Sequence, residues 1–175
     1  KELEFVKEFN FRKGTKNVTR KQLWFHEGGK YFCEKWIRRH KRWESNRYTD
    51  KLIKIQKKVQ TITDRIIDDS IIKKHISKPI INSCLVNYYR DGTQFIPPHK
   101  DTNLSFGRCP TIVGISYGDS RIFTLKNKME KHSYILESGS IFIMAGSSQK
   151  YYTHEIERSD SIDSRYSLTF RQYIS

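Results

Sequence analysis

Short apolar runs separated by turn residues fill the second half of the chain and constrain its fold most strongly. Turn-forming pairs such as Asp91-Gly92 and Pro97-Pro98 separate these runs. Many short strands at this spacing predict a β-sandwich or jelly roll. The runs all follow Pro79, and they span residues 83–89, 111–117, 121–126, 133–136, 141–144 and 166–173.

The residues before Pro79 have a different pattern. Residues 20–34 are aromatic and are interrupted by Gly28-Gly29, which predicts a short hairpin or a mobile loop. Residues 49–76 are predicted to be helical, because apolar residues recur there at steps of three and four. These apolar residues are Leu52, Ile55, Val59, Ile62, Ile66 and Ile67. A helix on one face of the strands makes the expected fold class α+β, and 175 residues favour one domain.

Basic residues exceed acidic residues by a wide margin. The chain has 33 Lys and Arg against 19 Asp and Glu, which gives a formal net charge of +14. The excess concentrates before residue 80, in residues 38–42, residues 51–58 and Lys73-Lys74. Such a field attracts polyanions and favours a nucleic-acid partner. The alternative, that the charge serves solubility alone, stays open.

Cysteine usage and hydropathy bear on the compartment. Cys33, Cys84 and Cys109 are odd in number and widely spaced, so they indicate neither a disulfide framework nor a zinc finger. This usage favours an intracellular location, without separating nucleus from cytoplasm. No apolar run reaches the roughly 20 residues that a membrane span needs, so we expect no membrane partner. We expect a monomer.

A metal site is indicated by His99, Asp101 and His154. His99 and Asp101 are two residues apart, so on an extended segment their side chains project to the same side. His154 supplies a third ligand from a later part of the chain. Two histidines and one carboxylate form the facial triad of non-haem Fe(II) oxygenases. Zinc takes a similar set of ligands, so ligand type alone does not identify the metal.

The last strand-like run contains two arginines. Arg165 and Arg171 are six residues apart, so a strand places both on one face and Leu168 and Phe170 on the other. Arginines on an inward face need an anion, because an unpaired buried charge is costly. A dicarboxylate cosubstrate would supply that anion. If this face meets solvent instead, both are ordinary surface residues, and this alternative stays open.

The first strand-like run carries an amide and a phenol on one face, those of Asn87 and Tyr89. Beside two inward arginines they would complete a carboxylate-binding wall.

In their order along the chain, these elements resemble the AlkB family of Fe(II)- and 2-oxoglutarate-dependent dioxygenases over about residues 83–173. Residues 106–110 are similar to the nucleic-acid repair branch, and Arg20, Trp24 and Tyr31 are similar to its nucleotide-recognition lid. The resemblance rests on Asn87-x-Tyr89, Asp91-Gly92, His99-x-Asp101, Ser116-Tyr117-Gly118-x-x-Arg121-x-Phe123, Gly139-Ser140-Ile141-Phe142-Ile143-Met144, His154 and Arg165-x-Ser167-Leu168-Thr169-Phe170-Arg171.

The resemblance implies a single dioxygenase domain over residues 1–175. A double-stranded β-helix core would occupy residues 81–175, and residues 1–80 would form a basic N-terminal lid and support helix. The implied ligands are His99, Asp101 and His154 for iron, Arg165 and Tyr89 for the distal carboxylate of 2-oxoglutarate, and Arg171 and Asn87 near its iron-chelating end. Two positions depart from the family. Ser167 stands between the arginines where Asn is common, and Asn103 stands where many repair members have an acidic residue close to the target base.

The implied activity is oxidative demethylation of N-alkylated bases in DNA or RNA. It would use Fe(II), 2-oxoglutarate and O2 and release formaldehyde, succinate and CO2. The target base must leave its stack, so Trp24, Tyr31 and Phe25 are candidates to hold it beside Asn103, while the basic segments follow the phosphates. The alternative, that these aromatic residues pack the helix onto the sheet, stays open. Three alternatives stay open: a protein or small-molecule hydroxylase that uses 2-oxoglutarate, a non-catalytic nucleic-acid-binding module, and a zinc- or manganese-binding jelly roll.

Overall fold

The computed structural model describes residues 20–37, 43–71 and 73–174. Within those ranges the helices are α1 (Asp50–Asp69), α2 (Asn103–Phe106) and α3 (Ser148–Tyr151), and two short 3-10 turns occupy Glu34–Trp36 and Lys73–His75. The strands are β1 (Lys21–His26), β2 (Ser83–Tyr89), β3 (Ile96–His99), β4 (Ile112–Gly118), β5 (Arg121–Lys126), β6 (Lys131–Leu136), β7 (Ile141–Met144), β8 (Thr153–Ile156) and β9 (Arg165–Arg171).

The strands form two antiparallel sheets that face each other. The larger sheet has the strand order β1-β2-β9-β4-β7, and the smaller sheet has the order β3-β8-β5-β6. Strands β4 and β5 follow each other in sequence but belong to different sheets, as do β6 and β7, so the chain crosses between the sheets repeatedly. Apolar side chains from both sheets meet in one cluster. This arrangement confirms the predicted jelly-roll core.

Helix α1 covers the outer face of the larger sheet. It begins where the Thr49 hydroxyl accepts a hydrogen bond from the backbone N–H of Leu52, and it ends before Ser70, earlier than the predicted residue 76. Its buried stripe continues through Thr63, while the neighbouring Ile62 is 38% exposed. The difference follows from the helical period, because residue 63 lies closer than residue 62 to the line of the preceding buried positions.

Residues 21–26 form an edge strand of the larger sheet, where a hairpin or a loop was predicted. Strand β1 pairs with β2, so that Gln22 lies opposite Asn87. The chain then turns through Gly29, whose φ of 68° suits a residue without Cβ. A partner strand so distant in sequence leaves no local signal, which is why the pattern of residues 20–34 was misleading.

Alternation along β9 separates the core from the site. Leu168 and Phe170 are fully buried beneath α1. Arg165 and Arg171 project from the other face into the space between the sheets, where they are 1% and 4% exposed. The prediction that the two arginines share a face is confirmed, and the solvent-exposed alternative is excluded.

Candidate metal and cosubstrate site

Two strands of the smaller sheet bring the three predicted metal ligands together. His99 on β3 lies directly opposite His154 on β8, and their ring centroids are 4.1 Å apart. Asp101 follows β3, and its Oδ1 lies 3.8 Å from His99 Nε2 and 3.9 Å from His154 Nε2. All three ligand atoms lie within 4.8 Å of one another. This donor set fits one metal ion with positions left for further ligands.

Both imidazoles are held in the form that binds a metal. Burial lowers the pKa of His99, and burial together with the neighbouring His99 lowers the pKa of His154 to about 3. The rings are therefore neutral near pH 7 and keep a lone pair for a metal. His99 Nδ1 lies 2.9 Å from the carbonyl oxygen of Pro97. Because a carbonyl only accepts, Nδ1 is the donor and Nε2 is the free ligand atom.

The carboxylate of Asp101 divides its two oxygens between two tasks. Oδ1 faces the histidines, whereas Oδ2 accepts a 2.5 Å hydrogen bond from Nε of Arg171. Burial raises the pKa of the carboxyl, but the Arg171 guanidinium and the two imidazoles outweigh burial and hold it below its ordinary value. Asp101 is thus an oriented anion, and Arg171 is the residue that orients it.

At the other end of the site, Arg165 presents donors without an acceptor. Its Nη2 donates to Ser116 Oγ at 2.8 Å, but its Nε and Nη1 have no hydrogen-bond partner within the described residues, and the same holds for the hydroxyl of Tyr89. The guanidinium lies over the Tyr89 ring, 5.2 Å from its centroid. A buried cation with unpaired donors is costly unless an anion joins it. This end therefore fits a carboxylate.

One cavity of about 180 Å³ connects the two ends. Asn87, Ser167 and Thr169 line the wall of the larger sheet between the histidine–aspartate triad and Arg165. A dicarboxylate can therefore lie along this wall, with one end at the triad and the other at Arg165. The remaining polar and aromatic lining residues are Arg20, Gln22, Phe32, Trp36, Trp43, Tyr89, Lys100, Thr102, Phe123, Phe142, Glu155 and Arg171.

The structure does not bring Trp24 and Tyr31 to this cavity. Both are buried in an aromatic cluster behind it, and the indole N–H of Trp24 donates to the carbonyl of Lys30 at 2.9 Å. Other aromatic rings cover Trp24, with Phe32 against it at 4.8 Å between centroids. Trp24 and Tyr31, 1% and 6% exposed, are therefore not among the residues at the cavity, and their contact with a target base stays a prediction.

Asn103 is exposed and begins helix α2, and it is Thr102 that lines the cavity. Of the described residues before residue 50, the aromatic ones that line the cavity are instead Phe32, Trp36 and Trp43. A usable signal was present, because Trp36 and Trp43 flank the basic residues 38–42 in the sequence.

The predicted phosphate-binding residues divide into two groups. Residues 38–42 lie outside the described residues. Lys51, Lys54, Lys57 and Lys58 are exposed on α1, which packs on the face of the larger sheet opposite to the cavity. The helix lysines are therefore not brought to the cavity, since helical amphipathicity turns them away from the sheet.

Family profiles place the chain in a known class. Residues 2–171 match the profile of the 2OG-Fe(II) oxygenase superfamily. The chain therefore belongs to that superfamily, whose members use Fe(II), 2-oxoglutarate and O2. The histidine–aspartate triad and the unpaired donors of Arg165 fit these groups. None of the helices in the described ranges is long and apolar enough to cross a membrane.

Within the superfamily, the chain is homologous to AlkB proteins. The alpha-ketoglutarate-dependent dioxygenase alkB homolog 3 of Homo sapiens is 32% identical over 102 residues, which cover 51% of this chain and 36% of that protein. The DNA oxidative demethylase ALKBH2 of Arabidopsis thaliana is 27% identical over 116 residues, which cover 51% of this chain and 37% of that protein. The chain thus spans little more than a third of the length of these curated relatives.

The structure of OsALKBH1 shares the fold. It superposes with a TM-score of 0.67 at 17% identity and covers 98% of this chain and 91% of that chain. At an identity this low, the similarity shows only that the two proteins share a fold.

Proposed function

We propose that the protein is an Fe(II)- and 2-oxoglutarate-dependent oxidative demethylase of N-alkylated bases in DNA or RNA. The observation that carries the proposal is the cavity itself, with a histidine–aspartate triad at one end and, at the other, a buried guanidinium that has two donors without a partner among the described residues. Cationic and aromatic residues at the same cavity, Arg20, Lys100 and Trp36, suit a nucleotide. The Arabidopsis thaliana relative is a DNA oxidative demethylase, which supports this substrate class.

The residues divide the work by position. His99, Asp101 and His154 would hold the iron, and Arg165 and Tyr89 would bind the distal carboxylate of 2-oxoglutarate. Asn87 and Arg171 would bind the cosubstrate nearer its metal-chelating end. When bound, iron and 2-oxoglutarate activate O2 and supply the oxidation of the N-methyl group. The protein contributes placement, because the walls fix the methyl group beside the metal and exclude water.

Stacked aromatic rings offer a surface for the flipped base. Phe32 stacks on Trp43 at 4.5 Å between centroids with an interplanar angle of 26°, and on Trp36 at 5.7 Å with an angle of 23°. Trp36 is the partly exposed member of this group and lines the cavity, so its exposed part can contact a base that enters there. A base taken out of its stack is held by such faces.

We expect Trp36→Ala to raise KM for a methylated oligonucleotide about 5- to 100-fold, because stacking contributes about 1–3 kcal/mol per base. The 2-oxoglutarate Kd should stay unchanged, since Trp36 is not one of the residues assigned to the cosubstrate. Steady-state formaldehyde release measures the first quantity and calorimetry the second. Tyr151→Ala is the matched control, because Tyr151 is an exposed aromatic residue outside the cavity. Equal KM values for the two variants would contradict the role of Trp36.

Phosphate contacts are proposed for the basic residues 38–42. The supporting observation is that Trp36 and Trp43, which flank them in sequence, both line the cavity. We propose that these basic residues contact the phosphates of a strand that delivers a base to Trp36. The lysines of α1 serve as the comparison, because they carry similar charge on the far side of the larger sheet.

Replacing Arg38, Arg39 and Arg42 together by Ser should weaken binding to all oligonucleotide sequences alike. It should also flatten the salt dependence, since each phosphate contact to a single strand contributes a slope of about −0.7. The control replaces Lys51, Lys54 and Lys57 by Ser, which removes the same formal charge from the outer face of α1. Fluorescence anisotropy across a salt series measures the oligonucleotide affinity and its salt slope for both variants. A flatter slope in the α1 variant only would move the phosphate path to the helix.

A further inference from the structure

The carboxamide of Asn87 is held from one side by two donors. Nε of Arg20 and Nε2 of Gln22 both lie 2.9 Å from its Oδ1. Asn87 is 3% exposed on β2, and Gln22 lies directly opposite it on β1. All three side chains line the cavity.

Two donors on one oxygen fix the rotation of the amide. If the amide were reversed, its NH2 group would face the guanidinium and the Gln22 NH2 group, and three sets of donors would meet without an acceptor. The observed orientation leaves Nδ2 as the group that can face a cavity ligand. A charged donor on Oδ1 also polarises the amide, which strengthens Nδ2 as a donor.

Arg20 connects this amide to the metal-binding part of the site. Its Nη1 also contacts the carbonyl oxygen of Phe95 at 3.4 Å, just before β3, the strand that carries His99. Arg20 thus joins the start of β1 to the cosubstrate wall and to the segment that leads into the metal site.

We propose that Arg20 and Gln22 are positioning residues for the cosubstrate, which act by directing Nδ2 of Asn87 toward a carboxylate of 2-oxoglutarate. The inference rests on the proposed function, because it requires a dicarboxylate in the cavity. It goes further by assigning to strand β1, outside the metal triad and the arginines of β9, a defined part in binding that ligand.

The experiment measures the Kd of 2-oxoglutarate by calorimetry, without turnover, with Mn(II) in place of Fe(II). Arg20→Met and Gln22→Met are each made in the wild-type and in the Asn87→Ala background. Each should weaken binding about 2- to 12-fold in the wild-type background, the usual net contribution of one hydrogen bond. Neither should weaken it further in the Asn87→Ala background, because residues that act through one group are not additive. Thermal unfolding checks that every variant folds.

Gln22→Glu is the sharper variant, since it changes one donor into an acceptor without changing shape. It should turn the amide around and weaken 2-oxoglutarate more than Gln22→Met does. Equal losses in the two Asn87 backgrounds, or a Gln22→Glu no worse than Gln22→Met, would overturn the positioning role. Wild-type protein that binds no 2-oxoglutarate would instead overturn the proposed function, so the two failures are distinguishable.

Discussion

Arg165→Met is expected to weaken 2-oxoglutarate binding by a factor of tens to thousands while metal binding stays unchanged. The substitution keeps the length of the side chain but removes the guanidinium that lines the cavity beside Tyr89. Two buried donors of this guanidinium have no partner among the described residues. A carboxylate left unpaired in a closed pocket costs about 2–5 kcal/mol. Calorimetry with Mn(II) in place of Fe(II) measures the Kd of 2-oxoglutarate and of the metal separately.

The same substitution should weaken cosubstrate binding but should not destabilise the ligand-free protein. In the absence of cosubstrate Arg165 is a desolvated cation with two unpaired nitrogen donors, so Met should make the ligand-free protein as stable or more stable. Urea unfolding measures the free energy of unfolding of the ligand-free protein. Arg90→Met is the matched control, because Arg90 is exposed and paired with Asp91. An unchanged 2-oxoglutarate Kd in Arg165→Met would place the anion site elsewhere.

Asp101→Ala and His154→Ala are both expected to lower metal affinity at least about 100-fold, a magnitude that loss of even an outer-shell partner of a ligand can reach. They should differ in stability. Asp101→Ala leaves Arg171 buried without its carboxylate, which costs about 3–5 kcal/mol. His154→Ala removes no hydrogen bond within the described part of the chain, since Nδ1 has no partner there, and its stability loss should be the smaller.

Metal titration by calorimetry and urea unfolding of the metal-free protein measure the two quantities. His132→Ala is the control, because His132 lies on the exposed strand β6, away from the triad. If His154→Ala bound metal like the wild type, His154 would not be a ligand. If Asp101→Ala lost metal without losing stability, the pairing of Asp101 with Arg171 would not stabilise the fold.

Strand alternation made much of the site predictable from sequence. Because side chains on a strand alternate strictly, Arg165 and Arg171 had to share a face, and burying Leu168 and Phe170 under a helix turned that face toward the cavity. The two-residue spacing of His99 and Asp101 likewise predicted that their side chains project to the same side, because residues two apart on an extended segment do so. Local geometry fixes both relations, so no knowledge of distant contacts was needed.

The aromatic residues could not be assigned in this way. Nothing in the local sequence separates Trp24 from Trp36, and only long-range packing decides which indole lines the cavity. The pairing of Gln22 with Asn87 likewise depends on a strand contact between residues 65 positions apart. The domain boundary at residue 80, the monomeric state and the intracellular location remain predictions.

Product formation from methylated oligonucleotides is the direct test of whether the protein demethylates N-alkylated bases. Protein supplied with Fe(II), 2-oxoglutarate and O2 is incubated with oligonucleotides that carry one N-methylated base each, as DNA and as RNA, and with unmodified copies of the same sequence. Formaldehyde and succinate are quantified together. A demethylase should release equal amounts of both products from at least one methylated oligonucleotide, and no formaldehyde from its unmodified copy. Succinate release without formaldehyde from any methylated oligonucleotide would contradict the demethylase and leave a hydroxylase of another substrate.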